Sequence, residues 1–209
     1  MAHQKRKEYI PYLHEKLGDI KVVWDTKNNN WDTRKKCLND HIKQGCDFAI
    51  TVQDDSIVTD NFKEKVKSFI RSIGDSNAIY NFYYAKKLPR EKIDTAIREG
   101  KNHIKENELH NEICFAIPTK IIKEMMDWCE EQKPQNDLIM QRFIAKRSIP
   151  VYFSIPSYIN HRKGESIVGI EAFNRECWYF DGDVWDLKRA GSFTPGRKHK
   201  LVDGVIIKK

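Results

Sequence analysis

The chain lacks any hydrophobic run approaching the ~20 residues that a membrane-spanning helix needs. Its opening, "MAHQKRKEYIPY", holds no apolar signal core. A cytoplasmic protein without a membrane span is the expectation. The five cysteines (Cys37, Cys46, Cys114, Cys129 and Cys177) contain no CxxC pair. That argues against a zinc finger, and their odd number and wide spacing argue against a disulfide framework, so reduced thiols are expected. No internal repeat is visible, so a repeat array is not expected. Acid is scarce in one place: residues 188–209 carry seven Lys or Arg and a single acid, Asp203, which accounts for six of the seven net positive charges.

What is present fits one globular unit. The 209 residues are 40% hydrophobic and 32% charged, enough to bury a core and too apolar for a disordered chain. The body is close to neutral and the tail is basic. Such a tail suits a polyanionic partner such as nucleic acid. The alternative is a solvated, partly disordered end.

Strand-like and helix-like stretches alternate. "EYIPYLHEKLG" reads as a helix stopped by Gly18. Residues 20–24, "IKVVW", read as a short buried strand, and "DTRKKCLNDHIKQG" as a helix capped by Asp32 or Thr33 and closed by Gly45. Residues 47–52 form the next strand. A helix follows with its apolar stripe at Phe62, Val66, Phe69, Ile70 and Ile73. Residues 78–85 are aromatic and strand-like. Residues 86–112 are charged and weakly patterned, as expected of a lid or acceptor loop. "ICFAI" is another strand, Pro118 opens a helix, "NDLIMQRFIAKRS" is a further helix, and residues 150–156 make a last core strand. The pattern predicts an α/β fold with a mainly parallel sheet flanked by helices, whose ligands bind at the carboxyl ends of strands.

At one such end stand Asp54 and Asp55. Two adjacent carboxylates repel, and one is driven to hold a proton unless a cation lies between them. The pair therefore points to a divalent metal, or else to a helix cap with a spare carboxylate. Far along the chain, "IPSYINHRKGESIVG" leads from a strand into His161 and a loop with Lys163, Gly164 and Ser166. Histidine is the commonest imidazole ligand for divalent metals, and Gly/Ser loops cradle phosphate. A lone histidine is more often structural. If its strand runs parallel to residues 47–52, His161 and Asp55 meet at one sheet edge. Oxygen and imidazole ligands suit Mn²⁺ or Mg²⁺ bound to a diphosphate.

Together these segments resemble the GT-A glycosyltransferases, which use a nucleotide-sugar donor and a DxD-type metal motif. "ITVQDD" resembles the strand-plus-DxD signature in its QDD variant. "VVWDTKNNNWDTRKKCLNDHIKQGCDFAITVQDD" resembles the nucleotide-binding half, and "QNDLIMQRFIAKRSIPVYFSIPSYINH" the later half. The similarity spans roughly residues 6 to 170, and order and spacing carry it. One departure is that only "MAHQKR" precedes the first helix, where the family has a full strand. The division expected is a GT-A (Rossmann-like) catalytic domain over residues 1–175, with an aromatic, basic extension over 176–209 packed on it.

The resemblance implies roles. Asp55 and His161 would ligate the metal, Mn²⁺ or Mg²⁺. Asp54, Arg6, Asp25, Lys163 and Ser166 would bind the donor, a UDP-sugar being the first choice; Arg6 would serve the base. Asp25 also reads as a turn or cap residue. Asp137 would be the general base that deprotonates the acceptor hydroxyl in an inverting enzyme; it also reads as a helix cap. Small enzymes of this composition resemble those encoded by bacteriophages, some of which attach sugars to hydroxymethylated pyrimidines in DNA; the host cytoplasm would then be the location. Trp178, Tyr179 and Trp185 would stack on an extruded base, or else simply pack the extension onto the body. A glycan or lipid-linked sugar is the competing acceptor. A second acidic motif, a literal DxD at Asp181 and Asp183 in "WYFDGDVWD", reads as a tight turn at Gly182, with the metal site as its alternative. Outside the family, paired aspartates and a histidine also serve metal-dependent nucleases, and a basic tail serves non-catalytic nucleic-acid-binding modules.

Overall fold

The computed structural model describes residues 1–27, 29–84, 88–132, 138–162 and 177–181, together with the backbone of 199–202 and 205–208. Asp137, Lys163, Ser166, Asp183 and Trp185 lie outside the described residues.

The chain opens with β1 (Ala2–His3) and a 3-10 turn (Gln4–Tyr9), then enters α1 (Ile10–Leu17) with Pro11 in its first turn. Tyr12, Leu13 and Leu17 form the buried face of α1, and Gly18 ends it at a φ of 68° that favours glycine. Of the strand expected over 20–24, only β2 (Trp24–Asp25) forms, pairing parallel with β1. Next comes α2 (Asn30–Lys43). Its cap is Asn29, whose side chain accepts from the Asp32 N–H, rather than Asp32 or Thr33. The helix therefore starts earlier than the sequence indicates, because the "NNN" run offered several equivalent caps.

Then follow β3 (Phe48–Val52), β4 (Ser56–Val58), α3 (Phe62–Ile73) and β5 (Ile79–Asn81). In α3 the predicted stripe is the buried one, through Phe62, Val66 and Phe69. The stretch expected to be a loop holds α4 (Arg90–Arg98) and β6 (His103–Glu106), joined across their outer faces by Lys92 and Glu106 at 2.6 Å. The body closes with β7 (Cys114–Pro118), α5 (Thr119–Glu131), α6 (Ile139–Lys146), β8 (Val151–Ser154) and β9 (Ile159–His161). In the last part, β10 (Tyr179–Phe180), β11 (His199–Val202) and β12 (Val205–Lys208) make an antiparallel sheet in the order β10-β12-β11.

The fold is mixed α/β, as expected, but the direction of the sheet differs. The central sheet runs β3-β7-β5-β8-β6. Its β5–β8 pair is parallel, while β3–β7, β5–β7 and β6–β8 are antiparallel. The reversal centres on β7, which inserts between β3 and β5. An all-buried apolar run such as "CFAIP" carries no mark of direction, so the sequence pattern is silent on this point. Phe69, Tyr80, Phe82 and Tyr158 interlock edge-on and stacked on one side of the sheet. On the α2 side, the guanidinium of Arg34 lies 2.6 Å from the Glu112 carboxylate and 5.5 Å from the Phe115 ring centroid, fully inside the protein. This buried pair ties α2 to the segment entering β7.

Candidate functional site

The acidic pair sits where β3 stops hydrogen-bonding to β7. Gln53 closes that ladder by donating to the Ile113 carbonyl, and the chain then turns at Asp54 and Asp55 into β4. Both carboxylates are buried, at 5% and 3% exposure. Burying one charge is costly and burying two side by side costs more, so the surroundings must supply positive charge and donors.

Those donors come from the first residues of the chain and from β9. The His3 backbone N–H donates to Asp54 at 2.6 Å. Arg6, from the 3-10 turn, reaches across both carboxylates: its Nη1 lies 3.2 Å from Asp54 and donates a very short bond to Asp55. Arg6 thus stands against the aspartates in this arrangement, while the resemblance gave it the donor base. Burial still pushes the Asp54 pKa up; the His3 N–H and Arg6 act in the opposite direction.

His161 also arrives here, though not by the expected route. It is not on a strand parallel to β3. Instead β9 pairs antiparallel with β4, which places His161 directly opposite Ser56, one residue past Asp55. Its Nε2 lies 2.9 Å from Asp55 Oδ2. Its Nδ1 lies 2.5 Å from the Arg162 carbonyl oxygen. A carbonyl only accepts, so Nδ1 carries the proton. A neutral ring then turns the Nε2 lone pair toward a carboxylate. A cation between Nε2 and Oδ2, or a second proton on the ring, relieves that conflict. A backbone carbonyl on one ring nitrogen is also how metal-ligating histidines are oriented.

Arg162 is a participant that the sequence reading passed over. Its backbone N–H donates to the Asp55 carbonyl at 2.9 Å. Its guanidinium is held between the rings of Tyr9 and Tyr12, 4.6 and 4.5 Å from their centroids. The available signal was the Tyr9/Tyr12 spacing of three, which puts two rings on one helical face, together with the adjacency of Arg162 to His161.

Asp25 is close by. His3 pairs with Asp25 on one side and donates to Asp54 on the other. The Asp25 carboxylate accepts from the backbone N–H groups of Lys27 and Asn29, each at 3.1 Å. It therefore organises the turn into α2, which is the alternative its sequence context allowed.

The described aromatic residues of the extension, Trp178, Tyr179 and Phe180, contact other parts of the body. Arg90 lies over the Trp178 ring at 5.6 Å, and the Tyr179 hydroxyl donates a very short bond to Asp94. Phe180 is buried and bridges to Ser157. Trp178 and Tyr179 thus pack the extension against α4 and the body. Asp181 of the second acidic motif is in an ion pair with Lys65 at 2.8 Å.

Among the described residues, no group of three or more His, Cys, Asp and Glu side chains is gathered to hold an ion. Asp55 and His161 provide two converging ligands, and Asp54 stands beside them. A hard divalent ion that shares its shell with substrate phosphates needs only one or two protein carboxylates. The 2.9 Å spacing of Nε2 and Oδ2 is that of a direct hydrogen bond or ion pair, and it is also close to the roughly 3 Å between neighbouring ligands of an octahedral ion with bonds of about 2.1 Å. Asp55 and His161 are the described side chains that could hold such an ion. No model of a protein family matches the chain, and no curated protein matches its sequence. Among the described residues, no helix is long and apolar enough to cross a membrane.

Proposed function

We propose that the protein is a metal-dependent glycosyltransferase of the GT-A type, moving a sugar from a nucleotide-sugar donor, a UDP-sugar by first choice, to a hydroxyl acceptor. The observation that carries this reading is the orientation of His161: Nδ1 is fixed on the Arg162 carbonyl and Nε2 is aimed at the buried Asp55. The same orientation also suits a protonated imidazole paired with Asp55; the second buried carboxylate beside it, Asp54, is what favours a cation in this reading.

Asp55 and His161 would hold the ion, which when bound neutralises charge on the departing nucleoside diphosphate. The chain's own residues do the rest. Asp54, held by the His3 N–H, is assigned to the donor ribose. Arg6 supplies a guanidinium that suits phosphate oxygens once it leaves the carboxylates. Arg162 is held between Tyr9 and Tyr12, and its backbone N–H is bonded to Asp55; Lys163 and Ser166, outside the described residues, are assigned to the phosphates. Asp137 is assigned the acceptor proton.

A metal-dependent nuclease is less well supported. It calls for more carboxylates around the first pair, and the nearest in sequence, Asp60, is in an ion pair with Lys16 at 2.7 Å. The acceptor we propose is a hydroxymethyl-pyrimidine in DNA, with the basic C-terminal part of the chain contacting phosphate, as in the bacteriophage enzymes that it resembles. The test is a thermal-shift screen. Stabilisation by UDP that appears only with Mn²⁺ is the expected result. Stabilisation by DNA alone, with no response to Mn²⁺ and any nucleoside diphosphate, would overturn the reading in favour of a binding module.

A further inference from the structure

The strand that carries His161 is held differently on its two sides. Backbone groups of an antiparallel strand alternate between those sides. Arg162 donates to the Asp55 carbonyl and Thr59 donates to the Tyr158 carbonyl, so the even-numbered residues of β9 and its flanks turn toward β4. The odd-numbered ones turn the other way. Ile159 accordingly donates to the Phe82 carbonyl at 3.0 Å. The N–H of His161 faces the same way, and a side-chain oxygen accepts it there: Oδ1 of Asn160, at 2.9 Å.

The same oxygen accepts a second N–H, that of Cys177, at 3.0 Å. Two N–H donors at one atom assign that atom as the carboxamide oxygen, whose two lone pairs match them. Asn160 is 1% exposed, so both bonds are made out of water. Cys177 is itself firmly seated, with its thiol 3.2 Å from both the Ser157 hydroxyl and the Ile159 carbonyl oxygen. Beyond it, Ser157 donates to the Tyr179 carbonyl and Asp181 donates to the Ser157 carbonyl. One buried oxygen therefore joins the residue aimed at Asp55 to a segment that returns to β9 from further along the chain.

The His161 ring is placed by its backbone. Nδ1 meets the Arg162 carbonyl and Nε2 meets Asp55, and both contacts depend on where residues 161 and 162 sit. The ladder to β4 fixes this stretch on one side, and Asn160 fixes it on the other. Removing the Asn160 oxygen leaves buried N–H groups that must move to find another acceptor. Ligands need to be held to within about 0.5 Å of their working positions. We propose that Asn160 is a positioning residue for the pair His161 and Asp55, and that through Cys177 it makes the extension a part of that site instead of an attachment to the body. This inference rests on the reading of Asp55 and His161 as metal ligands.

The test compares Asn160→Leu, Asn160→Asp, Cys177→Pro and Cys177→Ala in the full chain. Two quantities are read: hydrogen exchange of the His161 amide, and the Mn²⁺ concentration at which stabilisation by UDP is half complete. Asn160→Leu removes the acceptor, and Cys177→Pro removes one donor. Each should raise the Mn²⁺ requirement about 10- to 100-fold, the usual cost of taking away the support of a metal ligand. Asn160→Leu should also speed exchange at His161. Asn160→Asp keeps an acceptor for both N–H groups and Cys177→Ala keeps the N–H, so both should behave like the unaltered chain. A tie that serves the fold alone lowers the melting temperature and leaves the Mn²⁺ requirement unchanged. That result in folded Asn160→Leu would overturn the proposal, as would Asn160→Asp or Cys177→Ala proteins impaired as deeply as their counterparts. If the unaltered chain shows no Mn²⁺-dependent response to UDP, the functional reading fails. Exchange at His161 then decides the tie by itself: faster exchange in Asn160→Leu upholds it, and unchanged exchange overturns it.

Discussion

Asp55 is held from three directions: Arg6 on one oxygen, His161 beside it, and the backbone of Arg162 on its own carbonyl. Asp55→Asn keeps the shape and loses the charge. It should remove Mn²⁺-dependent stabilisation by UDP, because an amide is a far weaker ligand for a hard cation. Asp183→Asn should leave that response intact. Loss of the response in Asp183→Asn, with Asp55→Asn unaffected, would move the site to the second motif. The cysteines give an independent check on burial. Burial pushes the Cys129 thiol up to about 12, raises Cys37, and raises Cys114 far more, whereas Cys46 is exposed. Only thiolates react with alkylating agents at an appreciable rate. Brief iodoacetamide treatment of the native protein at pH 8, read by peptide mass spectrometry, should label Cys46 well before the other four.

At the level of elements, the acidic pair was legible because adjacent aspartates after a buried strand break the usual rule for charges. Helices α3 and α5 were legible because their apolar stripes repeat at helical spacing. Strand direction was not legible, since "CFAIP" and "VYFS" read alike in either sense. Nor was the content of 86–112. There α4 and β6 bury only part of their surface and carry charge outward, so composition hid their order. The His161–Asp55 approach was foreseen but its geometry was not, because it depends on an antiparallel ladder between β4 and β9 that no local pattern announces. The pair Arg34 and Glu112 shows how elements are locked at this scale. Removing one partner leaves the other charge buried and uncompensated, which costs about 3–5 kcal/mol. Glu112→Gln should lower the urea midpoint accordingly while leaving the slope nearly unchanged. A loss under about 1 kcal/mol would mean that water reaches Arg34.

For the whole molecule, charge is divided between a near-neutral body and a basic C-terminal part whose backbone forms a sheet with Tyr179 and Phe180. On the proposed function, DNA binding should weaken steeply with salt, with a log–log slope of about −0.9 per phosphate neutralised. Sugar transfer should occur to hydroxymethyl-pyrimidine DNA and not to the unmodified duplex. Truncation after Asp186 should weaken DNA binding yet spare hydrolysis of the donor, with some loss of melting temperature because β12 pairs with β10. Absence of DNA binding at low salt, and of transfer to hydroxymethylated DNA with any donor, would place the acceptor among glycans instead.

Arg6 lies across both aspartates, so the acidic site carries its own counter-ion. On the proposed function, a divalent ion must first compete with that guanidinium. Its apparent affinity is lowered by the fraction of molecules in which Arg6 is already displaced. A nucleoside diphosphate offers the displaced guanidinium a new anion and so favours the displaced state. Ion and nucleotide therefore reinforce each other's binding by equal factors, as linkage requires. The protein would be nearly indifferent to either one alone, and the donor itself would decide when the ion is taken up.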